Sequence, residues 1–141
     1  AQGLHQAGGC RVIAGALMLL AAAGGEEIDC RDPGNLPQQP MNICAHRDFQ
    51  RADAEMNVVW KRVAAVMKQS DAELDRSIDR QPLYWPTLLA GQRGWIAWRD
   101  SQCMLESFQA RGGSMQPMLD SGCRSRLTDD RTRQLKSLIE Q

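Results

Sequence analysis

The chain has 141 residues, in which 17 basic and 17 acidic side chains give a formal net charge of zero. This length fits one small domain, and the balanced charge argues against nucleic acid as a main partner, because nucleic-acid-binding domains carry an excess of basic side chains. The sequence contains no recognisable nucleophile with a partner base, and no pair of carboxylates stands out as a glycosidase pair. The protein is therefore not expected to be an enzyme.

An apolar run near the N-terminus has the pattern of a secretory signal. Arg11 precedes the run, which extends from Val12 to Ala23 and is followed by Gly24 and Gly25. The run is too short to span a bilayer, so residues 1–25 are expected to be a cleaved signal peptide. Cys10 precedes the run instead of following it, so no lipid anchor or other stable membrane anchor is expected. We predict a periplasmic or secreted location.

Four cysteines follow this run, at Cys30, Cys44, Cys103 and Cys123. An even set of cysteines in an oxidising compartment predicts two disulfides. A zinc site is not expected, because the sequence has no Cys-x-x-Cys pair and His46 is the one histidine after the run. We expect neither a metal nor another cofactor.

The first predicted helix follows an irregular segment. Residues 26–40 contain three prolines and a glycine, which favour irregular structure. From Met41 onward the apolar residues recur at the spacing of one helix face, which predicts a helix over about 41–69. The apolar positions of that face are Phe49, Ala52, Met56, Val59, Val63 and Val66.

A short acidic helix is predicted next. Ser70 and Glu73 have the spacing of a capping box, in which the serine accepts from first-turn amides and the glutamate reaches back. Pro82 ends this helix near residue 80, because a proline disfavours a helical residue before it.

Two long helices complete the prediction. Pro86 suits the first turn of the next helix, which is expected to stop near Gly112 and Gly113. Ser114 is expected to cap the last helix. No stretch alternates as a strand would, so the fold class is all-α: a small disulfide-bonded bundle of three long helices plus one short helix, with its helical domain over 41–141.

The order of these helices constrains the disulfides. If the first and third predicted helices are antiparallel, all four cysteines gather at one end of the bundle. We favour Cys30–Cys44 with Cys103–Cys123, because these pairings close short local loops. The alternative is Cys44–Cys103 with Cys30–Cys123.

Several polar residues occupy helix positions that a plain bundle does not require. Asp53 and Asn57 lie one turn apart, and Gln92, Arg99 and Asp100 lie among tryptophans on a later helix. One interpretation of Asp53 and Asn57 is a surface that meets a partner. The other is a buried hydrogen-bond network that fixes helix packing, in which Arg99 pairs with Asp53.

Together with the cysteines, these residues resemble the LprI-type lysozyme inhibitor domain family over about residues 30–138. The resemblance implies a helical, disulfide-bonded, exported protein that inhibits lysozyme. The segments that carry it are Met41-Asn42-Ile43-Cys44, Ala52-Asp53-Ala54-Glu55-Met56-Asn57, Trp60, Gln92-Arg93-Gly94-Trp95-Ile96, Arg99-Asp100, Cys103, Gly112-Gly113-Ser114, Cys123, Leu127-Thr128, Arg131 and Leu135.

The segment Gly112-Gly113-Ser114 is the first candidate for partner binding. It could form a loop that inserts into a glycosidase cleft, held rigid by the disulfide end of the bundle. The alternative is a plain turn that needs a positive φ, with Ser114 acting as a helix cap.

A second candidate lies at the opposite end of the bundle. The acidic residues Asp71 and Glu73 could steer the protein toward a basic lysozyme, although a solvated helix face is the simpler interpretation. Trp85, beside two prolines, is the tryptophan expected to be exposed and able to anchor a partner, whereas Trp95 and Trp98 are expected to pack in the core.

These patterns lead to two functional hypotheses. The first is an exported inhibitor that occludes the cleft of a lysozyme-type peptidoglycan hydrolase. The second is an immunity protein, or another protein-binding module of the cell envelope, with a dedicated partner.

Overall fold

A computed structural model describes residues 27–140, and in this part of the chain the protein is a bundle of three α-helices without strands. The helices are α1 (Gln38–Glu73), α2 (Tyr84–Ser107) and α3 (Gln116–Ser137). Short 3₁₀ segments at Pro33–Asn35 and Phe108–Ala110 precede α1 and follow α2. The predicted all-α class is confirmed. The predicted signal peptide lies outside the described residues.

The three helices run up, down and up. The side chain of Gln38 lies 3.8 Å from Met118 near the start of α1 and α3, and Lys136 pairs with Glu55 further along both helices at 3.0 Å. The helices α1 and α3 are therefore parallel, and they share the most extensive interface. The helix α2 runs against both of them.

The helix α1 is longer at both ends than the sequence pattern predicts. It begins at Gln38, so that Pro40 falls in its first turn, where an amide has no intrahelical acceptor and a proline is tolerated. It continues through Ser70 to Glu73, and the predicted capping box and short acidic helix are wrong. No glycine or proline lies between Met41 and Ser70, so nothing local stops the helix there.

The segment 74–83 forms turns in place of the short helix. The carboxylate of Asp75 accepts hydrogen bonds from the backbone amide of Ser77 at 2.9 Å and from its hydroxyl at 2.6 Å. The carboxylate of Asp79 accepts one from the amide of Gln81 at 2.8 Å. Such local side-chain bonds to the backbone favour turns over helix, and the bonds from Ser77 lower the pKa of Asp75.

The apolar core lies between α1 and α3. Met56, Val59 and Val63 from α1 pack with Leu135 from α3, and all four are buried. Val66, which the sequence pattern places on the same face, is 41% exposed. The last turn of α3 lies level with Glu55, so Val66, about three turns further along α1, lies beyond the end of α3.

The structure pairs Cys30 with Cys44 and Cys103 with Cys123, which is the pairing that the sequence favours. The Cα atoms are 5.5 and 5.4 Å apart. Both bonds lie at the end of the bundle where α1 and α3 begin. The first fastens the irregular N-terminal segment to α1, and the second joins the last turns of α2 to the first turns of α3.

We expect the two disulfides to contribute unequally to stability. Replacing Cys103 and Cys123 together by serine opens a loop of 20 residues between two core helices, which should cost about 3 kcal/mol of the free energy of unfolding. Replacing Cys30 and Cys44 should cost about 1 kcal/mol or less, because the released segment then frays in the folded state as well. Urea unfolding, followed by far-UV circular dichroism, measures the free energy of unfolding of both double variants. Equal losses would contradict the prediction that the Cys103–Cys123 bond contributes more.

Candidate functional site

A buried arginine joins all three helices. Arg99 lies on the inner side of α2 and is 6% exposed. Its guanidinium contacts Asp53 of α1 at 3.8 Å and Asp100 of its own helix at 2.9 Å, and it donates to the hydroxyl of Thr128 on α3 at 3.2 Å. A buried charge is tolerated only when it is paired and hydrogen-bonded, and these contacts supply both.

Aromatic rings enclose the same guanidinium. The ring centres of Phe49 and Trp95 lie 5.2 and 5.1 Å from its central carbon. Arg131 of α3 lies 5.7 Å from the centre of the Trp95 ring, and burial lowers the pKa of its guanidinium. Arg131 also donates to the side-chain oxygen of Gln92 at 2.9 Å, which places Gln92 one further step along the α2–α3 contact. The aromatic faces shield the charges from water and add cation–π attraction.

The network extends from Arg99 along α1 in one direction and along α3 in another. Asn57 donates to Asp53 at 2.9 Å, so the two motif residues of α1 are bonded to each other. Asp100 also accepts from Arg124 at 2.5 Å, and Arg124 bonds Asp120 at 2.7 Å. The second carboxylate oxygen of Asp120 is buried without a hydrogen-bond partner among the described residues. Arg99 is the buried member of this network, whereas Asn57 is exposed and the side chain of Asp53 is 40% exposed. The two motif residues of α1 therefore contribute to helix packing from the solvent-facing edge of the network.

The sequence pattern shows only part of this network. It indicates the motif residues Asp53, Asn57, Gln92, Arg99 and Asp100, and the structure brings them together. Thr128 is among the residues that carry the family resemblance, but its bond to Arg99 is not predicted, and Arg124 and Asp120 are not indicated at all. Nothing in the local pattern says which residues of another helix lie opposite.

The acidic end of the bundle is arranged differently from the sequence prediction. The carboxylate of Asp71, near the end of α1, accepts hydrogen bonds from the backbone amides of Tyr84 at 2.7 Å and Trp85 at 2.9 Å. It therefore accepts hydrogen bonds from amides at the start of α2 that have no acceptor within that helix, and so joins the two ends of the turn segment 74–83. Glu73 accepts from Gln69 at 2.9 Å and is exposed.

Trp95 packs against the apolar core as predicted, whereas Trp85 and Trp98 lie differently from their predictions. Trp85 is half-buried: its ring centre lies 5.7 Å from that of Trp60, and the ammonium of Lys68 lies 4.3 Å from its centre. The start of α2 folds this ring back onto α1. Trp98, which the sequence pattern places in the core, is 51% exposed, because it lies on the side of α2 that faces away from the bundle.

The turn between α2 and α3 is exposed from Arg111 to Met115 and tightly constrained. Gly112 has a φ of +75°, the left-handed region that glycine adopts without strain. Its amide donates to the side chain of Gln116 at 2.8 Å, and the amide of Gly113 donates to the carbonyl of Ala110 at 2.8 Å. This geometry favours glycine, as the turn interpretation predicts.

The prediction that Ser114 caps the last helix is wrong. The residue before α3 is Met115, which makes no capping bond through its side chain, and Pro117 lies in the first turn of the helix. The carbonyl of Ser114 instead accepts from the side chain of Asn42 on α1 at 2.9 Å. The turn is thus tied to α1 as well as to α3.

We name residues 111–114 the disulfide-end loop, since they lie beside the Cys103–Cys123 bond. The guanidinium of Arg111 lies 4.5 Å from the centre of the Phe108 ring. Asp71, Glu73 and Trp85 lie at the other end of the bundle, so the structure does not bring the two candidate surfaces together. Among residues 27–140, no three histidine, cysteine or acidic side chains are grouped so as to hold a metal ion. No helix in that range is long and apolar enough to cross a membrane.

Removing both carboxylates that face Arg99 should be strongly destabilising. Asp53→Ala with Asp100→Ala leaves a buried guanidinium without an acidic partner, which should lower the free energy of unfolding by about 3 kcal/mol or more. The control is Asp129→Ala with Asp130→Ala, whose arginine partners are exposed and whose loss should cost less than about 1 kcal/mol. Similar losses in the two variants, measured by urea unfolding, would show that the network does not hold the helices.

Asp71→Ala should destabilise the protein by about 1 kcal/mol, because two amides at the start of α2 lose their acceptor. Glu73→Ala removes the same charge from the same helix turn without this role and should have almost no effect. Thermal unfolding of both variants distinguishes a cap from a general acidic face, for which the two losses would be alike.

Comparison with known proteins identifies the family. The family described as lysozyme inhibitor LprI matches residues 30–135. An uncharacterised protein of Rhizobium meliloti (strain 1021) is 45% identical over 139 residues, which covers 92% of this chain and 96% of that protein. No solved structure matches the chain. The matched range includes both disulfides, the Arg99 network and the disulfide-end loop, and the chain belongs to the LprI lysozyme inhibitor family.

Proposed function

We propose that the protein is exported to the periplasm or the cell exterior and inhibits a lysozyme-type peptidoglycan hydrolase by placing the disulfide-end loop in its substrate cleft. The observation that carries this proposal is the fixed, exposed geometry of the loop. The amide of Gly112 donates to the side chain of Gln116, the side chain of Asn42 donates to the carbonyl of Ser114, and the Cys103–Cys123 bond closes the base of the loop. A loop that is already ordered loses little entropy on binding. Family membership supports the choice of target, and two disulfides suit an oxidising compartment.

The chemistry of the loop suits a glycosidase cleft. Most glycosidases cleave with a pair of carboxylates that flank the scissile bond. Arg111 offers a planar guanidinium at the start of the loop, and arginine forms strong paired hydrogen bonds with carboxylates. The two glycines that follow carry no side chains, which keeps the loop narrow enough to follow Arg111 into a cleft. In this proposal Arg111 contacts the catalytic carboxylates and the glycines allow close approach.

The opposite end of the bundle is less suited to partner binding. Asp71 is engaged as the acceptor for α2, and Glu73 already holds the side-chain amide of Gln69. Trp85 packs on Trp60 beneath Lys68, so little of its ring is available to a partner. We therefore place the inhibitory contact at the disulfide-end loop and not at the acidic end.

The first experiment is a lysozyme activity assay with the oxidised protein, against c-type and g-type enzymes. We expect inhibition that saturates at about one inhibitor per enzyme. Arg111→Ala should raise the inhibition constant about tenfold or more, since a hydrogen bond between charged groups contributes about 1.5–3 kcal/mol. Arg62→Ala, which removes an exposed arginine from α1, is the control and should inhibit as the wild type does.

Two outcomes would contradict the proposal. Full inhibition by Arg111→Ala and by a variant whose loop is shortened would exclude cleft occlusion by this loop. Absence of inhibition against every lysozyme type would favour the alternative, an immunity protein or another envelope module whose dedicated partner is a different hydrolase. Isolation of that partner from envelope extracts, with common lysozymes left active, would then establish the alternative.

A further inference from the structure

The outer side of α2 carries large apolar residues of which about a third or more of each remains exposed. Tyr84 is 49% exposed, Trp98 is 51% exposed and Leu105 is 63% exposed. Phe108, one residue beyond the helix, is 36% exposed, and the guanidinium of Arg111 covers one face of its ring. A surface helix normally places charged and polar residues on its solvent side. Here the solvent side carries the large apolar residues, which indicates that another surface covers it.

These exposed residues follow a heptad pattern. Tyr84, Gly91, Trp98 and Leu105 recur every seven residues, and a second row at Thr87, Gly94, Ser101 and Phe108 is offset by three. Two such rows form the seam through which helices pair in coiled coils. We call these eight residues the α2 seam. All of them are exposed.

The α2 seam requires no charged partner. It contains no charged residue, and the rows that flank it, at 88, 95 and 102 on one side and 90, 97 and 104 on the other, are uncharged as well. The hydroxyl of Thr87 donates to the carbonyl of Leu83 at 2.7 Å, and that of Ser101 donates to the carbonyl of Ala97 at 2.9 Å. Both hydroxyls are satisfied within the helix, so burial of the seam leaves neither donor without an acceptor.

We propose that the occupant of the α2 seam is the same seam of a second copy of this chain, packed antiparallel. In an antiparallel pair, each residue of one row lies opposite a residue of the other row. With the two glycine positions at the crossing, Trp98 of one chain faces the partner's Thr87, and Tyr84 faces the partner's Ser101. Trp98 and Tyr84 then each meet a small side chain, and the glycines let the two helices approach closely. Leu105 and Phe108 extend past the start of the partner's α2 and lie at the level of its turn segment 74–83.

A parallel pair would not fit. It would place Trp98 against the partner's Trp98 and Gly91 against the partner's Gly91, so that the seam is crowded at one level and empty at another. A groove at the start of α2 supports the antiparallel choice. It has a volume of about 640 Å³ and is lined by Leu83, Thr87 and Leu138, among others, at the level where the partner's Trp98 arrives.

The size of the surface sets the strength of the dimer. In this register residues 84–101 of the two helices pair over about 27 Å, and such a contact supplies less than the roughly 800 Å² per partner of a standard interface. The dimer should therefore form reversibly at micromolar concentrations. The two disulfide-end loops would lie at opposite ends of the pair, so dimerisation leaves both free to act.

Sedimentation equilibrium of the oxidised protein, at concentrations from about 5 to 500 µM, tests the proposal. We expect the weight-average mass to rise from that of one chain toward that of two. Trp98→Asp places a charge in the seam and should keep the chain monomeric over this range. Val58→Asp changes an apolar residue on α1 that is 61% exposed, and it should dimerise as the wild type does.

A compensating swap tests the orientation. Thr87→Trp alone should weaken dimerisation about tenfold or more, because two tryptophans then compete for one level of the seam. Adding Trp98→Thr exchanges the bulky and small positions and should restore it. A wild-type chain that stays monomeric at the highest concentration overturns the proposal. That result is expected if the α2 seam binds a different protein. So does a dimer that survives Trp98→Asp, or a swap that fails to restore pairing in a folded variant. Lysozyme inhibition is measured separately with the loop variants, so the two proposals fail independently.

Discussion

The buried guanidinium of Arg99 fixes the axial positions of the three helices relative to one another. A charge that is removed from water must find acceptors and an opposite charge, or it destabilises the fold by several kcal/mol. Arg99 finds them on all three helices at once, in Asp53, Asp100 and Thr128. This requirement is met only when each helix has one axial position relative to the other two. The apolar core of Met56, Val63 and their neighbours supplies most of the driving force for packing, but apolar contacts alone tolerate sliding far more readily.

The axial positions that Arg99 fixes also determine where the disulfide-end loop lies. Cys103 follows Arg99 by one helical turn and therefore lies on the same side of α2, facing Cys123 of α3. The pair Arg124 and Asp120 extends the network along the first turns of α3 toward the same end. The turn at Gly112 then has only a short path between two fixed helix ends. Its rigidity is a consequence of the packing below it, and the proposed inhibitory contact depends on that rigidity.

The surface of the molecule divides into parts with different chemistry. The disulfide end presents a narrow loop with one arginine, the opposite end presents carboxylates that are largely engaged in local bonds, and the outer side of α2 is apolar and uncharged. The inner side of α2 carries the buried polar residues Gln92, Arg99 and Ser107, so large apolar residues on its outer side reverse the usual arrangement of a surface helix. This division would allow the protein to use one surface for a hydrolase and another for a second copy without competition between them.

Features that depend on local pattern could be predicted from the amino-acid sequence, whereas contacts between distant residues required the folded chain. Periodicity indicated the all-α class and the long helices, spacing favoured the disulfide pairing that the structure contains, and the polar motif indicated a bond between Asp53 and Arg99. The glycine of the turn was recognisable because a positive φ is a property of a single residue.

Contacts between distant residues could not be predicted in this way. The capping box at Ser70 is absent, and Asp71 instead accepts hydrogen bonds from the amides of Tyr84 and Trp85, because the end of α1 and the start of α2 meet in space. Whether a tryptophan of α2 faces solvent depends on which side of that helix meets the bundle, as the exposure of Trp98 shows. The side of α2 that meets the bundle carries Gln92 and Arg99, and large apolar residues face solvent. Hydrophobicity along the sequence therefore does not indicate which side of this helix is buried, because the partners of the Arg99 guanidinium on α1 and α3 decide it.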